Sequence, residues 1–247
     1  MADEIITEHK ENGGWLTINR PDCKNAITSR MWQAISEKIS ALQGEGARAV
    51  VIRGSGSCFA AGADLGELAS IESYKDAHSF WQPIKETLDF IAGLEIPTIA
   101  LIDGPCLGGG CLLATACDLR FAATGSTFGI PVARMGIVLD DDSIARLTAI
   151  VGPSRALELL YCADTISGER AEAIGLVNRC VPPYELDKLV ELVVARISQN
   201  AFGSIREAKR SVRRALFPGD ATGLLPQHES VVISSYLTSD FRRRIKS

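Results

Sequence analysis

The first fifth of the chain holds two short mixed runs, Ile5-Ile6-Thr7-Glu8-His9 and Gly14-Trp15-Leu16-Thr17-Ile18-Asn19, which read as strands. Arg20-Pro21-Asp22 ends the second with turn chemistry. Met31, Trp32, Ile35, Ile39 and Leu42 then recur at helical spacing, predicting a helix capped by Ser29 and closed by Gly44. Arg48-Ala49-Val50-Val51-Ile52-Arg53-Gly54 reads as a buried strand. Residues 73–92 read as a helix with Pro83 as a boundary or kink, residues 97–102 as a strand, and Leu119–Ala123 as another. From Ser143 the pattern turns mostly helical. Ala156-Leu157-Glu158-Leu159-Leu160 and residues 171–174 form short helices, Pro182-Pro183 breaks the chain, and amphipathic helices fill residues 185–245. Strand–helix units giving way to a helical tail predict an α/β core with a helical appendage.

Between the strand at 97–102 and the next helical stretch stand three glycines, Gly108, Gly109 and Gly110. Glycines at a helix start allow close approach to the backbone, and first-turn N–H groups lack intrahelical partners. With the helix dipole they suit an oxygen carrying negative charge. A tight turn or a packing contact accounts for the triplet equally well, so both readings stand.

Composition narrows the function. A length of 247 residues suits one large domain, or one domain with a small appendage, and a net charge of −4 argues against a nucleic-acid partner. Seven cysteines without a Cys-x-x-Cys pair suggest reduced thiols in the cytoplasm and speak against zinc. The start, Met-Ala-Asp-Glu-Ile-Ile, lacks the order of a signal peptide, and the uncharged stretch 104–117 is too short and glycine-rich to span a bilayer. The expectation is a soluble cytoplasmic protein without a membrane partner.

Several motifs point further. Cys58-Phe59-Ala60-Ala61-Gly62-Ala63-Asp64-Leu65 matches F-x-A-G-A-D-[IL], and Asp103-Gly104-x-x-x-Gly108-Gly109-Gly110 matches N-G-x-x-x-G-G-G with Asp for Asn. Arg20-Pro21 with Asn25-Ala26, Cys117-Asp118, Phe128-Gly129-x-Pro131 and Ala173-x-x-Gly175-Leu176-Val177 follow in order. On these the chain resembles the crotonase (enoyl-CoA hydratase/isomerase) superfamily over nearly its whole length. The resemblance implies an α/β fold: a crotonase-like spiral of ββα units over residues 1–190, then a C-terminal helical trimerisation region over 191–247. It implies an acyl-CoA substrate, a homotrimer or dimer of trimers, and no metal or redox cofactor, coenzyme A being part of the substrate. The backbone amides of Ala63 and Gly109 would form an oxyanion hole for the thioester carbonyl, with Ala61, Asp64, Leu65, Gly108, Leu112 and Val132 lining the substrate. Losing one such donor costs about 10²–10³ in rate.

The chain departs from the family's hydratases at both of their glutamates, where Leu112 and Val132 stand. Neither can hold or activate water, so ordinary hydration is not expected. Another acid is available. Gly136-Ile137-Val138-Leu139-Asp140-Asp141-Asp142-Ser143 replaces G-x-x-P-G-x-G-G-T, and Asp140 falls where isomerases of the superfamily place a catalytic acid and CoA dehalogenases a nucleophilic Asp. An acyl-CoA double-bond isomerase with Asp140 as its single acid/base is the leading expectation. A CoA-thioester hydrolase or dehalogenase using Asp140, or a non-catalytic acyl-CoA-binding homologue, are the alternatives. Asp-Asp-Asp-Ser is also what a helix start prefers, and a capping or solvated role is expected for Asp141 and Asp142.

Other candidates are weaker. His9, His78 and His228 read as surface residues, Lys85 as a solvated helix position within reach of the site, and Cys111 as a small core residue. Lys209, Arg210, Arg213 and Arg214 form a basic face, either solvated or contacting CoA phosphates. Family members usually continue beyond the Ser-Asp-Phe-Arg-Arg run at 239–243 into an end that helps close the CoA pocket, whereas this chain ends at Ser247, so the usual details of that closure are not carried over, though the fold is.

Overall fold

A computed structural model describes residues 3–11 and 13–216. The chain enters through β1 (Ile5–Lys10) and β2 (Gly13–Ile18), an antiparallel pair. Then α1 (Ser29–Gly44) leads to β3 (Val50–Gly54), which lies parallel to β2. The helix is capped by Thr28, whose hydroxyl accepts from the Met31 amide, and not by Ser29. The two neighbours offer the same oxygen, and only the extended backbone of Thr28 aims it at the first turn.

After β3 the chain steps into a second layer, where Ala60 bridges Cys106, before α2 (Leu65–Ala69) and α3 (Tyr74–Gly93). Pro83 lies inside α3 without ending it. The lost N–H is outweighed by packing: Pro83, Ile84, Thr87, Leu88 and Ile91 are all buried, and the Thr87 hydroxyl donates to the Trp32 carbonyl at 2.8 Å.

The same three steps recur. Strand β4 (Thr98–Ile102) joins the main sheet, β5 (Pro105–Leu107) the second layer, and α4 (Gly109–Ala116) follows. Next come β6 (Leu119–Ala123) in the main sheet, β7 (Thr127–Gly129) in the second layer, a 3-10 turn (Pro131–Met135) and α5 (Asp141–Val151). This is the expected ββα spiral. After α6 (Pro153–Cys162), β8 (Ile166–Ser167) and α7 (Gly168–Ala173), β9 (Arg179–Val181) completes the main sheet in the order β1-β2-β3-β4-β6-β9; the second layer runs β5-β7-β8. Two helices, α8 (Pro183–Gln199) and α9 (Phe202–Leu216), end the described chain. The expected division at residue 190 falls inside α8, and expectations for residues 217–247, including His228, lie outside the described residues.

The continuous apolar runs of β3 and β4 follow from burial on both faces. Val50, Ile52, Ala100 and Ile102 join a core with α1, α3 and α4, while Val51, Ile99 and Leu101 face Leu186, Val190 and Val194 of α8. One close approach locks α4 to the second layer: a Cβ on Gly110 would stand 2.4 Å from the Ala60 carbonyl oxygen and 2.8 Å from its Cβ.

Gly110→Ala is therefore expected to cost about 1–3 kcal/mol by overpacking, a fall in Tm of several degrees. Gly44→Ala, where an added Cβ meets nothing within 4 Å, should melt like the native protein. Thermal unfolding followed by circular dichroism checks both; equal melting of the two variants would contradict the packing argument.

Candidate active site

Two segments from successive turns of the spiral are held in parallel register. The amides of Phe59 and Ala60 both donate to the Pro105 carbonyl at 3.1 Å, and the Leu107 amide donates to the Ala60 carbonyl at 3.0 Å. Three residues beyond this bridge on one side stands Ala63, and three beyond on the other stands Gly109. Each is preceded by a glycine with positive φ, Gly62 (+110°) and Gly108 (+50°). Only such a backbone turns the next N–H away from the ladder, and L side chains rarely adopt it.

The result is a convergence of two amides. A Cβ on Gly109 would lie 3.5 Å from the Ala63 nitrogen, and one on Gly62 would lie 3.5 Å from the Gly109 nitrogen. Among the described residues neither N–H donates to a protein group, and Gly108 offers α4 no side-chain cap. The pair, at the positive end of a helix, is suited to an oxygen on which negative charge develops.

The surroundings are apolar. Trp32 is fully buried, with its ring edge 3.3 Å from where a Gly109 Cβ would be. Leu112 is buried in α4, and Val132 is half-buried in the 3-10 turn against the same core. Helix α4 packs against both α3 and α5. At the start of α5, Asp140 is the N-cap: its Oδ1 accepts from the Ser143 amide at 3.0 Å. Its other oxygen, Oδ2, is buried and has no hydrogen-bond partner. The capping and the chemical readings of Asp140 thus fall on different oxygens of one carboxylate.

One neighbouring acid is engaged. Asp142 accepts from Lys85 at 2.9 Å, and that bond holds its carboxyl below the usual carboxylate range. Lys85 also meets Asp89 at 2.5 Å, so the position, 40% exposed as a solvated helix face would be, carries two ion pairs as well.

Asp64, expected to line the substrate, has its carboxylate committed elsewhere. Oδ2 meets Arg20 at 2.5 Å, and Oδ1 accepts from the Gly66 and Glu67 amides at 2.9 and 3.0 Å, capping α2. The Arg20 bond, then the Glu67 amide, hold this carboxyl below its ordinary value. It anchors the backbone that carries the Ala63 amide. Leu65, next in the chain, is 69% exposed and open to a ligand, while half-buried Ala61 is tied by its amide to the Lys24 carbonyl at 3.0 Å.

Arg20 is the residue that sequence reasoning left without a role. Its signal was the Arg20-Pro21 and Asn25 pairing, because the buried Asn25 side chain accepts from the Arg20 amide (2.9 Å) and donates to the Ser55 and Cys58 carbonyls (2.9 and 2.6 Å). Together they knit the loops before and after β3.

The basic face of α9 is part solvated, with Arg210 and Arg213 exposed, and three of its cations are already paired with acids of this chain. Lys209 donates to Asp118 at 2.7 Å and to the Ile96 carbonyl at 3.0 Å, Arg210 pairs with Glu95, and Arg214 meets Glu207 at 2.6 Å. A cavity of about 750 Å³ lies between α3, α5, α8 and α9, and its lining includes Asp142, Arg146 and Arg213 but none of Ala63, Gly109 and Asp140. Cys111 is buried, as expected of a core residue, and burial pushes the Cys117 thiol up to about 12. His9 and His78 are exposed. Among the described residues no cluster of three potential ligands could hold a metal, and no helix is long and apolar enough to cross a membrane.

Comparison with known proteins bears on the family and the fold. The family model described as Enoyl-CoA hydratase/isomerase matches residues 8–240. A crotonyl-CoA hydratase of Syntrophomonas wolfei is 35% identical over 216 residues, covering 87% of this chain and 83% of that protein. A short-chain-enoyl-CoA hydratase of Clostridium acetobutylicum is 31% identical over 216 residues, covering 87% and 82%. Among solved structures, an enoyl-CoA hydratase/carnithine racemase from Magnetospirillum magneticum superposes with a TM-score of 0.92 at 28% identity, covering 100% of this chain and 92% of that one.

The Arg20–Asp64 pair makes a prediction about pH. The lowered Asp64 carboxyl contributes stability that is full above the ordinary Asp value of about 3.9 and is lost as pH falls through the lowered value. Asp64→Asn should cost about 1–2 kcal/mol at pH 7 and flatten the decline of the urea midpoint below about pH 4. An unchanged acid slope in Asp64→Asn would show that the pair does not couple to folding.

Proposed function

The chain belongs to the enoyl-CoA hydratase/isomerase family, whose members act on acyl-CoA thioesters, and from that premise we propose that it is an enoyl-CoA double-bond isomerase. The observation that carries the reading is the exchange of acids. Leu112 and Val132 stand at the positions of the hydratase glutamates, while Asp140 presents a buried, unpartnered oxygen from the first turn of α5. Water activation needs polar groups that those two positions lack. Moving a double bond needs one base.

In this reading the thioester oxygen of a 3-enoyl-CoA rests on the Ala63 and Gly109 amides. The ionised Asp140 carboxylate removes a proton from the carbon beside the carbonyl, and its electron pair moves into the dienolate, placing negative charge on the oxygen that the amides hold. The same proton returns two carbons away and yields the conjugated 2-enoyl-CoA, so nothing is consumed and the carboxylate is restored. The sequence needs no metal or redox cofactor, coenzyme A entering as part of the substrate. Gly108, Ala61 and Leu65 complete the substrate contacts, and assembly as a homotrimer or dimer of trimers belongs to the same reading, with size-exclusion chromatography as its check. The names of the relatives above describe hydratases; the two apolar side chains are what separates this site from that chemistry.

With 3-enoyl-CoA the native protein is expected to generate the ultraviolet absorbance of a conjugated thioester, and with 2-enoyl-CoA to hydrate it little. Asp140→Asn should lower kcat by about 10²–10⁴. Full activity in that variant would remove Asp140 from the reaction, and rapid hydration by the native protein would reject the isomerase reading. The unpaired oxygen also suits nucleophilic attack, in a hydrolase or dehalogenase. A covalent adduct on Asp140, seen by mass spectrometry, would favour that alternative.

A further inference from the structure

One short segment reaches both halves of the amide pair. Ile27 runs parallel to Ala63: its amide donates to the Gly62 carbonyl at 2.8 Å, and its carbonyl accepts from the Asp64 amide at 3.1 Å. Backbone hydrogen bonds therefore bracket Ala63 on both sides. Five residues later, in α1, stands Trp32. A Cβ on Gly109 would lie 3.3 Å from the Trp32 Cζ2, closer than to the Ala63 nitrogen at 3.5 Å or the Gly62 carbonyl carbon at 3.7 Å.

Gly109 differs from its neighbours in the triplet. Gly108 has a positive φ, and Gly110 is kept to glycine by the Ala60 backbone. Gly109 has no positive φ, and Ala63 and Gly62 stand at ordinary van der Waals distance from where its side chain would begin. The one tight neighbour is Trp32. Protein interiors are close-packed, and the indole edge fills the space that the missing side chain leaves.

The indole is itself held in place. Trp32 is fully buried, its amide donates to the Thr28 carbonyl at 3.0 Å, and its carbonyl accepts from the Thr87 hydroxyl of α3 at 2.8 Å. The Ser36 hydroxyl donates to that of Thr87 at 3.0 Å. By contrast, the Trp32 Nε1–H is buried without a hydrogen-bond partner. An indole nitrogen can only donate, and a buried donor left unpaired lowers stability. Side-chain hydrogen bonding does not account for a Trp here; the contact of its ring edge with Gly109 does.

We propose that Trp32 is a positioning residue for the two amides: with Ile27 fixed to the Ala63 side, its ring edge sets how far the Gly109 amide stands from the Ala63 amide. The inference rests on the reading of those amides as the holders of the thioester oxygen. Stabilisation of an oxyanion depends on donors already at hydrogen-bond distance, and a misplacement of about 1 Å can cost about 10²-fold in rate. The bridge between Ala60 and Cys106 sets the register of the two segments from one side, and residues 27–32 close on them from the other.

The test reads the oxygen site and the packing separately. Butanoyl-CoA labelled with ¹³C at the thioester carbonyl has no double bond to move, and its infrared carbonyl stretch falls when amides donate to the oxygen. Binding to the native protein is expected to lower that stretch, and binding to Trp32→Leu to lower it less. On 3-enoyl-CoA, Trp32→Leu should lose about 10- to 10²-fold in kcat with far less change in KM. Gly109→Ala should also lose kcat. In Trp32→Leu/Gly109→Ala the added methyl enters the space the indole has left, so the double variant should be more active than the two losses multiplied together predict. A native-sized carbonyl shift in folded Trp32→Leu overturns the proposal, as do losses that simply multiply in the double variant. If Trp32→Leu does not fold, Trp32→Phe decides by the same readings. A carbonyl that does not shift even in the native protein defeats the oxyanion reading instead. Crystal structures of the native protein and the variant then judge Trp32 alone: a changed separation of the Ala63 and Gly109 nitrogens keeps its role, and an unchanged one rejects it.

Discussion

The site depends on the parallel register between residues 59–60 and 105–107. Backbone bonds between parallel segments have one repeat spacing, so fixing Ala60 against Cys106 fixes every residue a set number of positions beyond. Ala63 and Gly109 are each three residues further on, and each leaves the ladder through a glycine with positive φ. Two amides that would otherwise continue a sheet are thereby aimed into one space. The arrangement costs nothing to reorganise at the moment of reaction, because covalent connection and backbone hydrogen bonds already hold it.

Other interactions defend that register. Asn25 bridges the loops on both sides of β3, Arg20 holds Asp64, and Asp64 caps α2 just after the Ala63 amide. The Ala60 carbonyl, which takes the Leu107 amide, also limits what fits at Gly110, so the first turn of α4 and the second layer approach within backbone contact. Charge enters separately, through the α3–α5 network that surrounds the start of α5. The amide pair belongs to stacked turns of the spiral and Asp140 to a helix packed on α4, so the amides and the carboxylate are positioned by different elements. That division explains how this chain keeps both glycine motifs and the F-x-A-G-A-D run while presenting Leu112 and Val132 in place of acids.

Much of this was legible in the linear order of residues. The apolar run of β4, the Gly108–Gly109–Gly110 triplet and the helical spacing of Met31, Trp32, Ile35, Ile39 and Leu42 each report a local preference that the fold keeps. Elsewhere packing or a distant partner adds to what a local rule can say. Pro83 is not a boundary of α3, because a buried face around it outweighs one absent hydrogen bond. Lys209 looks solvent-facing until the tertiary structure supplies Asp118, and the partners of the more exposed Lys85 and Arg210, Asp142 and Glu95, are likewise residues far away in the chain.

The sequence by itself determined the motifs that mark the family, the glycines that permit the amide pair and the absence of acids at positions 112 and 132. These are matters of residue identity and short spacing, and no fold is needed to read them. The ββα order came only through the resemblance, since the second-layer strands are two or three residues long. Only the tertiary structure decided that the Ala63 and Gly109 amides converge, that Asp64 serves the scaffold, that Asp140 caps with one oxygen and leaves the other buried and unpaired, and that Lys85 reaches Asp142. Each of those depends on distances between residues from different turns of the spiral, or on which atom of a side chain faces inward, and such distances are set by how the turns stack and not by any segment alone.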